Sequence, residues 1–226
     1  MNFSFQWLCL ITLICLTFLN SCKLDSTANE EKVKTEIAPP KKKVEKKVTP
    51  KEPVNSAPIR INESTANQKI DYKRVNISLM EALVHEEINK ARNANGRGSL
   101  QNDRILRKAA EDQNNYCLRN TDLTHYQTTP GKETIKDRVQ YYGTGYTIMA
   151  ENLIYEGFTV RRTNGVISDI LTPTYRQLAK TLVVNWMNSP SHRDNILENE
   201  LKRVGTAAAY NPKNYAVYVT QVFGAK

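Results

Sequence analysis

Cysteine is scarce in this 226-residue chain: there are four, and two of them, Cys9 and Cys15, lie inside an N-terminal apolar run. Removal of that run as an export signal leaves Cys22 and Cys117, and once Cys22 is acylated Cys117 has no partner. A domain with no internal disulfide is held by its core alone, and about 150 residues are enough to build one. The alternative, a Cys22–Cys117 bridge, would tie a flexible tail to a helix. The apolar stretch Trp7–Leu19 is shorter than the ~20 residues a membrane-spanning helix needs and fits the core of a signal peptide. A dense basic stripe with interleaved aromatics is also missing. Residues 1–77 carry 13 Lys and Arg against 8 Asp and Glu, and residues 78–226 carry 19 against 15, so the net charge of +9 is spread thinly. Nucleic-acid binding thereby has little support, and export argues further against it.

Trp7–Leu19 ends in Leu19-Asn20-Ser21-Cys22. A small residue before a cysteine, directly after an apolar run, resembles a bacterial lipobox, although Met1–Gln6 carries no Lys or Arg. The expectation is a lipoprotein signal peptide over residues 1–21 and lipidation of Cys22; an uncleaved signal anchor is the alternative. Residues 32–58 hold five prolines, the runs Lys41-Lys42-Lys43 and Lys46-Lys47, and no aromatic residue. Such a stretch cannot bury enough apolar surface to offset its ordering entropy. Residues 22–77 therefore read as a Lys/Pro-rich disordered tether that holds a domain, residues 78–226, away from a membrane. The lysines are either simply solvated or touch anionic lipid or polymer. The unusual lipobox and long tether point to the outer membrane or cell surface of a diderm bacterium.

Periodicity divides the domain into helices and strands. Ser78 and Glu81 form a capping box for a helix whose inner face is Met80, Val84, Glu87, Ile88 and Ala91, ending at Asn95-Gly96. Asn102 or Asp103 caps a second helix with Leu106, Ala109, Ala110, Gln113 and Cys117 on one stripe, where Cys117 acts as a small hydrophobe. Lys132–Tyr141 is a short helix with Ile135 and Val139 inward. Thr172 precedes Pro173 at the first position of a fourth helix, whose stripe runs from Tyr175 to Trp186 and Met187. Pro190 breaks it and starts another, with Ser189 as N-cap. Strands are expected at Ile148–Ile154, Arg203–Tyr210 and Ala216–Val222, the last two as a hairpin around Asn211-Pro212-Lys213-Asn214. Between Tyr155 and Thr172 the stretch Arg161-Arg162-Thr163-Asn164-Gly165 reads as a loop at the rim of the site. Helices around a small antiparallel sheet make an α+β pattern.

Four stretches carry the chemistry: His125 in Asp122-Leu-Thr-His-Tyr; Ala150-Glu151-Asn152-Leu153; Trp186 followed by Ser-Pro-Ser-His192-Arg-Asp-Asn195; and Val204-Gly205 with Gln221-Val-Phe223-Gly224. In this order they resemble the bacterial branch of the CAP superfamily, the SCP-like or PR-1-like extracellular domains, over residues 78–224. The resemblance implies a three-layer α-β-α sandwich with a small central antiparallel sheet. It also implies a cleft lined by His125, Glu151 and His192, where some members bind a divalent metal, often zinc, through the two histidines. Two imidazoles with Glu151 could supply three zinc contacts and leave a place for water. With Ser189 capping a helix that begins at Pro190, His192 lies in its first turn, where the partial positive charge favours the neutral, metal-binding ring.

One departure limits this reading. Many eukaryotic members of the family it resembles have a second glutamate three residues after the tryptophan; this chain has Ser189, a reduction common in bacterial members. With that carboxylate missing, an acid–base role loses support, and no Ser or Cys nucleophile is identifiable beside a base. The alternative is a hydrogen-bonded polar knot in which Glu151 ties down loops. Asn152, Trp186, Ser189, Asn195 and Gln221 read as cleft scaffold. His85-Glu86-Glu87-Ile88-Asn89 begins like a zincin helix but lacks the second histidine, so His85 reads as an exposed or edge residue. The leading expectation is a monomeric, lipid-anchored, non-enzymatic binding module for a lipid or sterol, a divalent cation such as zinc, or a host or envelope partner. Tyrosines such as Tyr126, Tyr141, Tyr142, Tyr146 and Tyr155 suit such surfaces, with ordinary core and rim packing as the alternative. A metal-dependent hydrolase using His125, His192 and Glu151 is the competing expectation, and a structural or adhesive protein the third.

Overall fold

Asn76, not Ser78, starts the first long helix. In the computed structural model, which describes residues 61–226, the Asn76 side chain accepts from the Leu79 N–H at 3.1 Å. Glu81 is thereby released from the expected capping box. Its carboxylate instead takes Arg107 of the next long helix at 2.9 Å and the Ala208 N–H of a strand at 3.1 Å. Burial pushes the Glu81 carboxyl above its ordinary range, against these hydrogen bonds.

The elements run α1 (Glu63–Ala66), α2 (Ile77–Ala94), β1 (Gln101–Asn102), α3 (Arg104–Asn120), α4 (Ile135–Tyr142), β2 (Ile148–Gly157), β3 (Thr159–Thr163), β4 (Val166–Leu171), α5 (Tyr175–Asn188), α6 (Pro190–Leu197), β5 (Arg203–Asn211) and β6 (Ala216–Ala225). The main sheet has the order β1-β5-β6-β2, antiparallel except for the short parallel β1–β5 pair. On one face Met80, Leu83, Val84 and Ile88 of α2 join Leu178, Leu182 and Trp186 of α5 and Ile196 of α6 over Val204, Val217, Val219 and Phe223. On the other face Leu106, Ala109 and Ala110 of α3 and Val139 of α4 cover Ala207 and Val222, and Cys117 packs with Leu153, Ala216 and Tyr218. Alternate residues of β6 thus serve opposite layers. The strand is buried from Ala216 to Gly224, as expected of one covered on both sides. This is the α-β-α sandwich the resemblance implied. Gly205 is required by the close approach of α3: a Cβ there would lie inside the backbone of Leu106 and Arg107.

Some local expectations hold and others change. Asp103 is the cap of α3, accepting from Ile105 and Leu106 N–H. Pro173 does not open α5; Thr174 caps it in a reciprocal box with Gln177, and the Pro173 carbonyl accepts from Ile70 N–H. The stretch after Tyr155 is not a rim loop but a separate hairpin, β3–β4. Its turn residues Asn164 and Gly165 both have positive φ, 51° and 78°, the geometry that favours Asn-Gly in two-residue turns. From Glu151 to the end of β2 is roughly 20 Å of strand, so the hairpin springs from the end of β2 away from Glu151. His85 is half-buried, not exposed, with burial lowering its pKa. Cys117 is fully buried with its thiol pKa raised by burial.

The signal segment 1–21, Cys22 and the tether up to residue 60 lie outside the described residues. The rest of the expected tether does not behave as one, because from Ile61 onward the chain packs against the domain. Ala66 and Ile70 are buried, Lys69 bridges Thr174, and the Tyr175 hydroxyl accepts from Asn76 N–H at 2.8 Å. Burial of Ile70 contributes ~1.5–3 kcal/mol, and the Asn76 cap ~1 kcal/mol. A chain beginning at Ser78 should therefore be about 3 kcal/mol less stable to urea than one beginning at Ile61. Equal midpoints and slopes would show that this strap is not part of the folding unit.

Candidate functional site

Two neighbouring residues of β2 face opposite ways and reach both helical layers. Glu151 turns toward α4 and the loop after α3, and Asn152 toward α6. This is the side-chain alternation of any strand, here occupied by two buried polar residues, 7% and 0% exposed.

Glu151 has both carboxylate oxygens engaged. Oε2 accepts from Arg138 Nη2 at 2.7 Å, and Oε1 from His125 Nδ1 at 2.9 Å. The Arg138 side chain is completely buried and that of Glu151 nearly so, while the His125 side chain is about half exposed. Arg138 also donates to the carbonyls of His125, Lys132 and Glu133, so one guanidinium pins the loop that carries His125. A carboxylate can only accept. In the neutral ring the proton is therefore on Nδ1 of His125, and Nε2 keeps its lone pair.

Asn152 donates to the His192 carbonyl at 3.1 Å and accepts from Asn195 Nδ2 at 2.9 Å. Asn195 also donates to the Glu151 carbonyl, and the Trp186 indole N–H donates to the Leu153 carbonyl at 3.3 Å. β2 is the last strand of its sheet, so these two side chains occupy carbonyls along its free edge. Gln221 stands opposite Asn152 on β6 but belongs to the interior, donating to Thr206 Oγ1 at 3.1 Å.

Ser189 is the N-cap of α6 by position, yet its hydroxyl does not cap the helix. It shares a 2.8 Å hydrogen bond with His192 Nδ1. A hydroxyl and an imidazole therefore do meet, contrary to the expectation that no serine sits beside a base. Among the described residues, however, no third group orients His192 through Nε2, as an activated nucleophile requires. The His192 pKa is lowered, first by burial and then by the charge of nearby His125. The direction is the expected one, but burial and His125 cause it.

The geometry thus brings His125 and Glu151 into contact and sets His192 beside them, each histidine held through Nδ1 with Nε2 unbonded among the described residues. Two imidazole nitrogens fit a divalent cation. The carboxylate does not, because Arg138 and His125 occupy it, and no cluster of three or more His, Cys, Asp and Glu side chains suited to a metal forms among the described residues. The residue that sequence reasoning missed is Arg138. Its one visible signal is position: it lies on the inward stripe of α4 beside Ile135 and Val139, where a charge needs a buried partner.

A three-layer α-β-α sandwich defines a class of domain, and known proteins of that class share its fold. Residues 85–223 match the model of the CAP, or cysteine-rich secretory protein, family, and the chain belongs to that family. An outer surface protein from Borrelia burgdorferi has the same fold, with a TM-score of 0.51 and 20% identity over 71% of this chain and 98% of that one. An extracellular SCP-domain protein from Bacillus anthracis aligns at 20% identity and a TM-score of 0.45, over 67% of this chain and 40% of its own. The CAP domain of enterococcal PrgA aligns at 17% identity and a TM-score of 0.46, over 73% and 69%. No curated protein matches the chain.

Two tests follow from the geometry. Glu151→Ala leaves Arg138 buried without a counterion and should cost about 3–5 kcal/mol in urea unfolding. Adding Arg138→Met to that variant should recover most of the loss, whereas additive losses would show that the two residues do not act as a pair. In an NMR titration under chelator, His192 should titrate below the free-histidine value of ~6.5. Its folded pKa being depressed, the unfolded chain binds more protons below that value, so this residue's contribution to stability falls as pH drops from 7 toward 5. His125→Ala should raise the His192 pKa, and no change on that substitution would remove the ring–ring coupling.

Proposed function

We propose that this chain is an exported, lipid-anchored surface protein whose CAP domain binds a ligand and does not convert one, with a divalent cation such as zinc held between Nε2 of His125 and Nε2 of His192. The observation that carries this reading is the double engagement of Glu151. With one oxygen on Arg138 and the other on His125, the cleft presents two imidazole nitrogens and no free carboxylate. Hydrolysis at a metal needs a poised base beside the attacking water. Ser189 stands where eukaryotic members of the family commonly carry a second glutamate, so that base has no replacement. A bound cation would add positive charge between two exposed-to-half-buried rings and draw a polar or anionic group of the ligand toward them.

Anchoring rests on the apolar run ending at Ser21-Cys22 and on the Lys/Pro-rich segment after it. The family and the surface or extracellular nature of the similar proteins support export. On this reading Cys22 carries the lipid, and the ligand is a lipid or sterol or a component of the envelope or host, met at the cell surface.

Elemental analysis of the purified protein, before and after dialysis against zinc, tests the cleft beside the His125→Ala/His192→Ala double variant. Near-stoichiometric zinc in the wild type and its loss in the double variant are expected. Equal zinc in both, or none in either, would overturn the cation site. Turnover that depends on His192 would overturn the non-enzymatic reading.

A further inference from the structure

A second site lies at the opposite end of β2. Where β2 leaves the sheet, the root of the β3–β4 hairpin, the Leu171–Pro173 segment and the α5 residues Leu178 and Thr181 line an open cavity of about 320 Å³. Small-molecule sites begin at roughly 300 Å³, and in this lining polar surface outweighs apolar surface. Phe158 and Leu178 form the floor here, and both are almost fully buried. Thr159, Thr172 and Thr181, from three different segments, line it too, as does Glu156 with its carboxylate. None of the three hydroxyls is engaged by another group among the described residues. The carboxylate has one long contact, with Asn185 Nδ2 at 3.5 Å.

This lining selects a ligand chemistry. It contains no lysine, arginine or histidine, so a phosphate, sulfate or carboxylate would meet the Glu156 charge uncompensated. A hydrocarbon chain would leave four polar groups unmatched, each with a desolvation cost. A quaternary ammonium has no N–H or O–H to offer Glu156. A ring bearing several hydroxyls satisfies every group: vicinal hydroxyls donate to the acceptor-only carboxylate, the threonines donate or accept as needed, and the C–H face lies on Leu178 and Phe158. We propose that this cavity is a binding site for a neutral sugar, of a size for one or two rings. The site is independent of the cation proposed between His125 and His192.

Saturation-transfer difference NMR on the full chain tests it, with glucose, galactose and N-acetylglucosamine as probes and ethanolamine as the small amine. At least one sugar should receive saturation at its ring protons. Thr181 is exposed on α5, so Thr181→Phe should fill the mouth without unfolding the domain, which an unchanged melting temperature verifies. Binding should weaken at least 10-fold in Thr181→Phe and in Glu156→Gln, and stay unchanged in His125→Ala/His192→Ala. No saturation of any of the three sugars would overturn the proposal, as would equal binding in Thr181→Phe. Loss of the signal in the double-histidine variant would place the sugar in the other cleft and overturn it too. Glu156-dependent binding of ethanolamine alone would show that the cavity takes amines and not sugars.

Discussion

The architecture of the cleft hangs on a buried ion pair. Arg138 has no exposed surface, and its guanidinium is tolerable inside the domain because Glu151 stands 2.7 Å away and three carbonyls accept from its Nη1 and Nη2 groups, while Nε has no partner among the described residues. Such a pair adds little net stability compared with well-packed apolar residues. What it gives here is position. The guanidinium holds the loop carrying His125, the carboxylate holds the ring of His125, and the ring is left with one nitrogen turned outward. A glutamate that looks like a metal ligand or a general base when seen as a letter in a sequence is in the folded chain the counterion of an arginine 13 positions away.

The other half of the cleft is held by the neighbouring residue. Asn152 takes the main chain at His192 and the side chain of Asn195, so the strand that orients one histidine also orients the second. Across the sheet the polar row continues to Gln221 and Thr206. A shift of β2 by one residue would exchange Glu151 and Asn152 between the layers and break both sets of contacts. The register of β2 is thus chosen by polar partners on both faces as much as by its apolar residues.

Much of the fold was legible because it is written in periodicity. The stripes of α3 and α5, the β5–β6 hairpin and the breaking proline at Pro190 are short-range signals. The errors arose where a long-range partner outbid a local one. Ser78-x-x-Glu81 has the form of a capping box, but Glu81 is drawn away by Arg107 and Ala208, so Asn76 caps instead. Thr172-Pro173 has the form of a helix start, but Pro173 lies against the strap, while Thr174 and Gln177 carry the actual box. The β3–β4 hairpin was readable from Asn164-Gly165 between β-branched residues and was missed. Arg138 was not readable as a functional residue, because its meaning depends on Glu151, and spacing does not reveal that two residues meet across a strand and a helix.

The side chains that close the edge of β2 affect more than the cleft. A ten-residue strand at the end of a sheet is ordinarily a template on which a foreign strand can grow. Here Trp186 and Asn195 have already claimed carbonyls along that border. A foreign strand laid along this border would have to displace an indole and an amide from those two acceptors before it could pair there.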